Sequence, residues 1–221
     1  MPRDSATAID PDELLKAYTL GYFPMARRRA DAHVVWVLPD VRGVLLLDDA
    51  RAPKRLRKFL ATEPFVVRVD SNFPAVIEAC AEPGKGREDT WINDPIVEVY
   101  HELFRLGFAH TVECYAHGRL VGGLYGVAVG RIFCGESMFS RATNASKVAL
   151  LHLIARLKIG GFRVLDAQFH TEHLAQFGVA EMTDADYQKV LEANVREAGD
   201  YLRAPRQLPA ATVLQSITQT S

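Results

Sequence analysis

Apolar positions along the chain follow two rhythms, one of about 3.6 residues and one of two, and the switches between them lay out the elements. "DPDELLKAYTLGYF" puts Asp10 at an N-cap, Pro11 at the first helical position and Glu13 three residues after the cap. These signals predict a helix that ends near Gly21. "FPMARRRADA" then reads as a loop, and the strands "VVWVL" and "RGVLLL" follow with Pro39-Asp40 between them. "APKRLRKFL" is a short basic helix, "FVVRVD" a strand, and "SNFPAVIEACA" a helix capped by Ser71 or Asn72. After the polar loop "EPGKGRED", "PIVEVYHELFRLG" is an amphipathic helix closed by Gly107.

Three strands come next, "HTVECYA", "RLVGGLYGVAVG" and "RIFCGESMFS", with turns at His117-Gly118 and Gly130-Arg131. "NASKVALLHLIARLKIGG" is a helix capped by Asn144 and ended by Gly160-Gly161. The apolar strand "RVLDAQFH" leads into two more helices, "TEHLAQFG" and "DADYQKVLEANV". Beyond Gly199, prolines with many Gln, Thr and Ser predict a loosely ordered tail. This order predicts an α+β fold, a sheet with helices packed against it. The boundary falls at Pro39-Asp40, giving a small N-terminal cap over 1–40 and a main domain over 41–221.

Composition narrows the class. Apolar residues at 48% and charged residues at 24% fit an ordinary globular protein, and 221 residues can bury a large core. A net charge of -1 gives no global positive field, so a nucleic-acid partner would have to be read from local patches. Two such patches exist: Arg27, Arg28 and Arg29, and then Lys54, Arg55, Arg57 and Lys58. The cysteines Cys80, Cys114 and Cys134 are odd in number and far apart, which suits a reducing compartment. No leader-like start and no membrane-length apolar run is present, so the expected location is cytoplasmic, with no membrane partner.

The candidate chemistry is sparse. The Gly-rich run from Arg119 to Ser137 lacks the Lys-Ser/Thr ending of a phosphate loop and reads as a hairpin. No histidine pair has a metal spacing, and no serine sits in a GxSxG elbow. Leu150, Leu153 and Leu157 form an apolar stripe on one side of their helix, and Trp91 is an aromatic in a polar setting. Asp166 and Gln168, two apart at the end of an apolar strand, share a face and need partners if buried.

Several stretches together resemble the leucyl/phenylalanyl-tRNA–protein transferases of bacteria. They are "AYTLGYFPM", "WVLPDVRGVL", "VIEACA", "TWI", "LVGGLYGVAVGRIFCGESMFS", "NASKVAL" and "LDAQFHTEHLAQFG", in family order over roughly 17–180. The chain departs from the family in a shorter N-terminal segment and in Met25, where a tryptophan often follows the "FP" pair. The resemblance implies a GNAT-like acyltransferase domain and a reaction without metal or organic cofactor. Leucine or phenylalanine, and less well methionine, would pass from aminoacyl-tRNA to an N-terminal Arg or Lys of a protein. The product would be marked for N-degron degradation.

By the same resemblance, Leu124, Met138, Leu150, Leu153, Leu157 and Leu165 line the aminoacyl pocket. Trp91 stacks near the terminal adenosine, Glu136 bonds within the site or orients the aminoacyl end, and the basic patches meet the tRNA backbone. Asp166 would orient the cationic acceptor and Gln168 would hydrogen-bond the attacking amine, the proton leaving through a ribose hydroxyl or water. An acetyl-CoA-dependent N-acyltransferase and a non-catalytic tRNA-binding adaptor are the rival readings.

Overall fold

A computed structural model describes residues 8–84 and 88–218. The first seven residues and part of the polar loop, 85–87, lie outside the described residues. The amphipathic and alternating segments form helices α1 (Pro11–Thr19), α2 (Lys54–Leu60), α3 (Phe73–Ala81) and α4 (Asp94–Arg105). They continue as α5 (Ala145–Ile159), α6 (Glu172–Ala175), α7 (Asp184–Asn194) and α8 (Ala210–Thr218). The strands are β1 (Phe23–Met25), β2 (Val35–Val37), β3 (Val41–Leu46), β4 (Val66–Val69) and β5 (Ala109–Ala116). The remaining four are β6 (Arg119–Val129), β7 (Ile132–Ser140), β8 (Val164–Gln168) and β9 (Ala180–Thr183).

Local chemistry accounts for the helix starts. Asp10 accepts from the backbone N–H groups of Asp12 and Glu13 ahead of α1, and Asn93 accepts from Ile96 ahead of α4. Of the two caps expected for α3, Asn72 is the one used; Ser71 instead bonds the buried carboxylate of Glu113. Glu113 also accepts the N–H groups of Ser71 and Asn72, placing negative charge at the helix start. Asn144 precedes α5 with φ at 65° but makes no side-chain cap, a departure from the expectation.

Seven strands make one mixed sheet in the order β4-β5-β6-β7-β8-β3-β9, and β1 and β2 pair separately. Neighbours run antiparallel except β7 and β8, which are parallel because α5 crosses between them. Strand alternation sends side chains into two cores. Val44, Tyr125, Cys134 and Val164 face α1, α3, α4 and α7, while Leu45, Leu124, Phe133 and Leu165 face α2, α5 and α8.

Two expectations fail here. Phe23–Met25 is a strand, paired with Val35–Val37, because a second short segment lies alongside to satisfy its backbone. The tail is ordered as far as Thr218: a turn at Tyr201–Arg203 and then α8 cover α5. The cause lies in α5 itself, which is buried on all sides (Val148, Leu151, Ile154 and Ala155 as well as the expected stripe). A helix apolar all round must be covered on every face. Val213 and Ile217 supply that cover, at about 1.5–3 kcal/mol for each side chain buried. Buried Arg156 of α5 ties the segment down by donating to the carbonyls of Tyr201, Ala204 and Pro205. β9, which pairs with β3, was not expected either; its alternation spans only the four residues Ala180–Thr183, too short a run to stand out as a strand.

Candidate active site

The parallel pair stays together for only three residue pairs, Ile132 with Val164, Phe133 with Leu165 and Cys134 with Asp166. β7 then continues to Ser140 held only by β6, and β8 continues to Gln168 held only by β3. Between the parting strands a cavity of about 330 Å³ opens. Gly135 to Met138 line it from β7, Leu165 and Ala167 from β8, Leu124 from β6, and Leu150 and Leu153 from α5. Thr171, His173, Leu174 and Val179 close the far wall. The surface is mostly apolar, its polar-bearing residues being Tyr125, Glu136, Ser137, Thr171 and His173, as a pocket for an apolar side chain requires. Five of the six expected pocket leucines and methionine are therefore brought together. Leu157 is not: it is fully buried in the core beyond the cavity lining.

Two backbone irregularities set the polar side of this gap. Tyr125 pairs with Ser137 but Gly126 pairs with Gly135, so Glu136 is an extra residue in a β-bulge. The bulge breaks alternation: Glu136 turns toward α1 and α4, whereas Met138 turns into the cavity with the opposite core. Gln168 has φ at 61°, and the N–H of Phe169 donates to the carbonyl of Ala167 across it at 2.6 Å. That is a γ-turn of the rare φ-positive kind, a strained conformation for a residue with a side chain. Asp166 Oδ1 stabilises it by accepting the N–H of Gln168 at 2.8 Å. Gly43 on β3 makes room for it, since a Cβ there would lie 2.6 to 2.7 Å from the backbone of Phe169 and His170.

The polar residues form one connected network. Arg42 Nη1 donates to Asp166 Oδ2 at 2.7 Å, and the Tyr187 hydroxyl donates to the same oxygen at 2.7 Å. Arg42 also donates to the carbonyl of Gly21 and lies over the Tyr187 ring at 4.3 Å. Asp166 is 1% exposed and Arg42 2%, so the pair is sealed between β3, β8 and α7. The Asp166 carboxylate, expected to orient the cationic acceptor, is held by Arg42, Tyr187 and the Gln168 N–H. One step along, Gln168 Nε2 donates to Glu136 Oε1 at 2.8 Å. Tyr18 donates to Oε1 at 2.7 Å and Tyr100 to Oε2 at 2.8 Å, and the two tyrosine hydroxyls touch.

Charge follows from these contacts. Burial pulls the Arg42 guanidinium down, but Asp166 and Tyr187 more than offset this and its pKa ends up raised. Burial, with Glu136 next to them, pushes the Tyr18 and Tyr100 hydroxyls well up, so both stay protonated. Burial also lifts the Glu136 carboxyl from 4.5 to about 7; hydrogen bonds from Tyr18, Tyr100 and Gln168 pull it back and the charge of Asp166 adds to the rise. Among the described residues no group of three His, Cys, Asp or Glu side chains could hold a metal ion.

The other expected residues lie elsewhere. Trp91 is half-buried against the core beneath α1, α3 and α4, its carbonyl accepting the Ala26 N–H, and it does not line the cavity. Arg29 is engaged with Glu78 and Asp94, while Arg27 and Arg28 are exposed. Lys54, Arg55 and Lys58 are exposed on α2, and Arg57 is half-buried. Arg42, Tyr187, Tyr18 and Tyr100 were not expected at all. The one signal available was the rule that a buried carboxylate requires a cation nearby.

A model of the family described as "Leucyl/phenylalanyl-tRNA protein transferase" matches residues 44–192, and a model of that family's N-terminal domain matches 7–40. The chain belongs to the leucyl/phenylalanyl-tRNA–protein transferase family. It is thus an enzyme, a transferase. It is 49% identical over 217 residues to the protein of that name from Phenylobacterium zucineum, covering 96% of this chain and 98% of that one. With the one from Paramagnetospirillum magneticum it shares 55% over 177 residues, 80% of this chain and 85% of that one. Among solved structures, L-PGS from Bacillus licheniformis superposes loosely, with TM-score 0.37 and 12% identity over 93% of this chain and 69% of that one. A superposition that loose carries no argument about fold or activity. Among the described residues no helix is long and apolar enough to cross a membrane.

Proposed function

We propose that the chain transfers leucine or phenylalanine, and methionine less well, from aminoacyl-tRNA to the α-amine of a protein beginning with arginine or lysine. The observation that carries this reading is the junction in the split sheet. An apolar cavity of about 330 Å³ meets a buried polar network at Glu136, which Gln168 bonds. An aminoacyl side chain in the cavity would bring its ester to that junction. The ester is already activated, so positioning the amine against it supplies much of the rate. Leucine, phenylalanine and methionine share an unbranched Cβ, so a pocket with a narrow mouth admits all three; each methylene is discriminated by about 1–3 kcal/mol.

In this reading Gln168 holds the amine. Its Nε2 is committed to Glu136, leaving the amide oxygen, without a partner among the described residues, to accept from the nucleophile. Asp166 acts behind it as a positioning residue by fixing the Gln168 turn. Exposed Lys54, Arg55 and Lys58, with Arg27 and Arg28, contact the tRNA backbone, and Trp91 meets its 3′ end. The remaining parts of the proposal are a GNAT-like domain over 41–221 with a cap over 1–40, no cofactor and a cytoplasmic setting.

The deciding experiment follows labelled leucine from leucyl-tRNA onto a protein beginning with arginine or lysine, beside one beginning with alanine. Transfer to the first pair alone is expected; no transfer to either overturns the proposal. Charge reversal at Lys54, Arg55 and Lys58 is expected to flatten the salt dependence of tRNA binding, and an unchanged slope removes α2 from the interface.

A further inference from the structure

The acceptor's α-amine arrives largely as an ammonium, since α-amino groups titrate near 7.7–8.0, and it must lose a proton before it can attack. The groups at the junction divide sharply as proton acceptors. Gln168 is a neutral amide. Asp166 does not line the cavity: at 1% exposure it is sealed in an ion pair with Arg42, its Oδ2 also taking the Tyr187 hydroxyl and its Oδ1 the Gln168 N–H. His173 lies on the far wall of the cavity beside Phe177, whereas the Gln168 side chain is hydrogen-bonded to Glu136.

Glu136 differs. Among the described residues its Oε1 accepts from Tyr18 and Gln168 and its Oε2 from Tyr100 alone, which leaves Oε2 a lone pair for a further donor. The residue lines the cavity and is joined to the Gln168 amide that would hold the amine. We propose that Glu136 is the general base of the transfer, taking a proton from the acceptor ammonium as Gln168 holds it. This rests on the transfer reaction proposed above.

The protons balance. The ammonium gives one proton to the Glu136 carboxylate, and the freed nitrogen attacks the ester carbonyl to form the C–N bond. As the bond to the ribose 3′-oxygen breaks, that oxygen takes a second proton from the nitrogen. The third stays on the new amide, and Glu136 returns its proton to water.

The surroundings leave Glu136 as the group that changes charge near neutrality. Tyr18 from α1, Tyr100 from α4, Tyr125 from β6 and Cys134 on β7 face it, and burial pushes all four well up. Asp166 faces it from β8 with Arg42 and Tyr187 behind, an ion pair plus a hydroxyl also pushed up by burial. Held at about 7, the Glu136 carboxyl matches the pKa that general-base work favours at neutral pH.

The test is single-turnover transfer from leucyl-tRNA to a saturating peptide with N-terminal lysine, from pH 6 to 9. The wild-type rate is expected to rise through an inflection near 7. In Glu136→Gln the inflection moves up to that of the peptide's own amine. The variant's rate then falls on the order of tenfold at pH 6.5 and converges on wild type at pH 9. Tyr100→Phe, which removes the Tyr100 hydrogen bond to Oε2, shifts the inflection upward in a protein that keeps the carboxylate. His173→Gln keeps the wild-type inflection. A Glu136→Gln rate reduced equally at every pH, or an inflection that moves in His173→Gln instead, overturns the assignment. Wild-type protein that transfers no leucine overturns the proposed function itself, a separate result.

Discussion

A carboxyl held at about 7 makes stability depend on pH in a direction opposite to the usual acid-labile protein. Glu136 titrates at about 7 when folded against an ordinary 4.5. Its folded value is raised, so the folded state holds the proton longer than the unfolded chain does. The contribution is therefore fully present below pH 4.5 and is lost as pH rises through about 7. At about 1.4 kcal/mol per pH unit, the interval from 4.5 to about 7 amounts to about 3.5 kcal/mol. Glu136→Gln removes the titration while keeping the shape: the amide oxygen can accept from Tyr18 and Gln168, and its NH2 can turn to the Tyr100 oxygen. Urea unfolding of both proteins at pH 5 and pH 8 gives a double difference in which all other groups cancel. The variant is expected to gain about 2.5 kcal/mol relative to wild type on going from pH 5 to pH 8, a window that captures most of the full shift. A double difference below about 1 kcal/mol refutes the burial argument, because a carboxylate that ionises freely in place carries no such penalty.

Four further outcomes follow from the same geometry. Arg42→Leu leaves Asp166 buried without its cation and should cost about 3–5 kcal/mol in urea unfolding, part of it recovered when Asp166→Leu is added; equal losses in the single and double variants would disprove the pairing. Gly43→Ala drives a Cβ to 2.6 Å from the Phe169 backbone and should destabilise by about 1–3 kcal/mol while lowering kcat by displacing the Gln168 turn. Full kcat would show that the turn does not matter. Ala167→Leu fills part of the cavity and should raise KM for phenylalanyl-tRNA more than for leucyl-tRNA; an equal change in both separates the cavity from the aminoacyl group. Arg156→Leu removes the donor to the Tyr201 and Ala204 carbonyls and should expose the chain around 204–210 to a protease that leaves wild type intact.

The elements of this chain are written locally. Asp10-Pro11, Asn72 and Asn93 mark helix starts, and period-two stretches mark the long strands, because caps and alternation act over a few residues. The apolar residues on every face of α5 carried a message that reading one stripe missed: Val148, Leu151 and Ile154 must also be covered, which dictates an ordered tail. Most of the cavity lining was also legible, through Leu124, Met138, Leu150, Leu153 and Leu165, though by family resemblance rather than by spacing.

The polar half of the site belongs to the tertiary structure. Strict alternation would put Glu136 and Met138 on one face; one bulged residue sends the carboxylate to the tyrosines and the methionine to the pocket. Spacing set Asp166 and Gln168 side by side but could not say that Arg42, 124 residues earlier, neutralises the first, nor that a γ-turn aims the second at Glu136. Such partners meet only when distant strands are stacked in one sheet. The burial that results, which no local pattern contains, is what moves the Glu136 carboxyl to about 7.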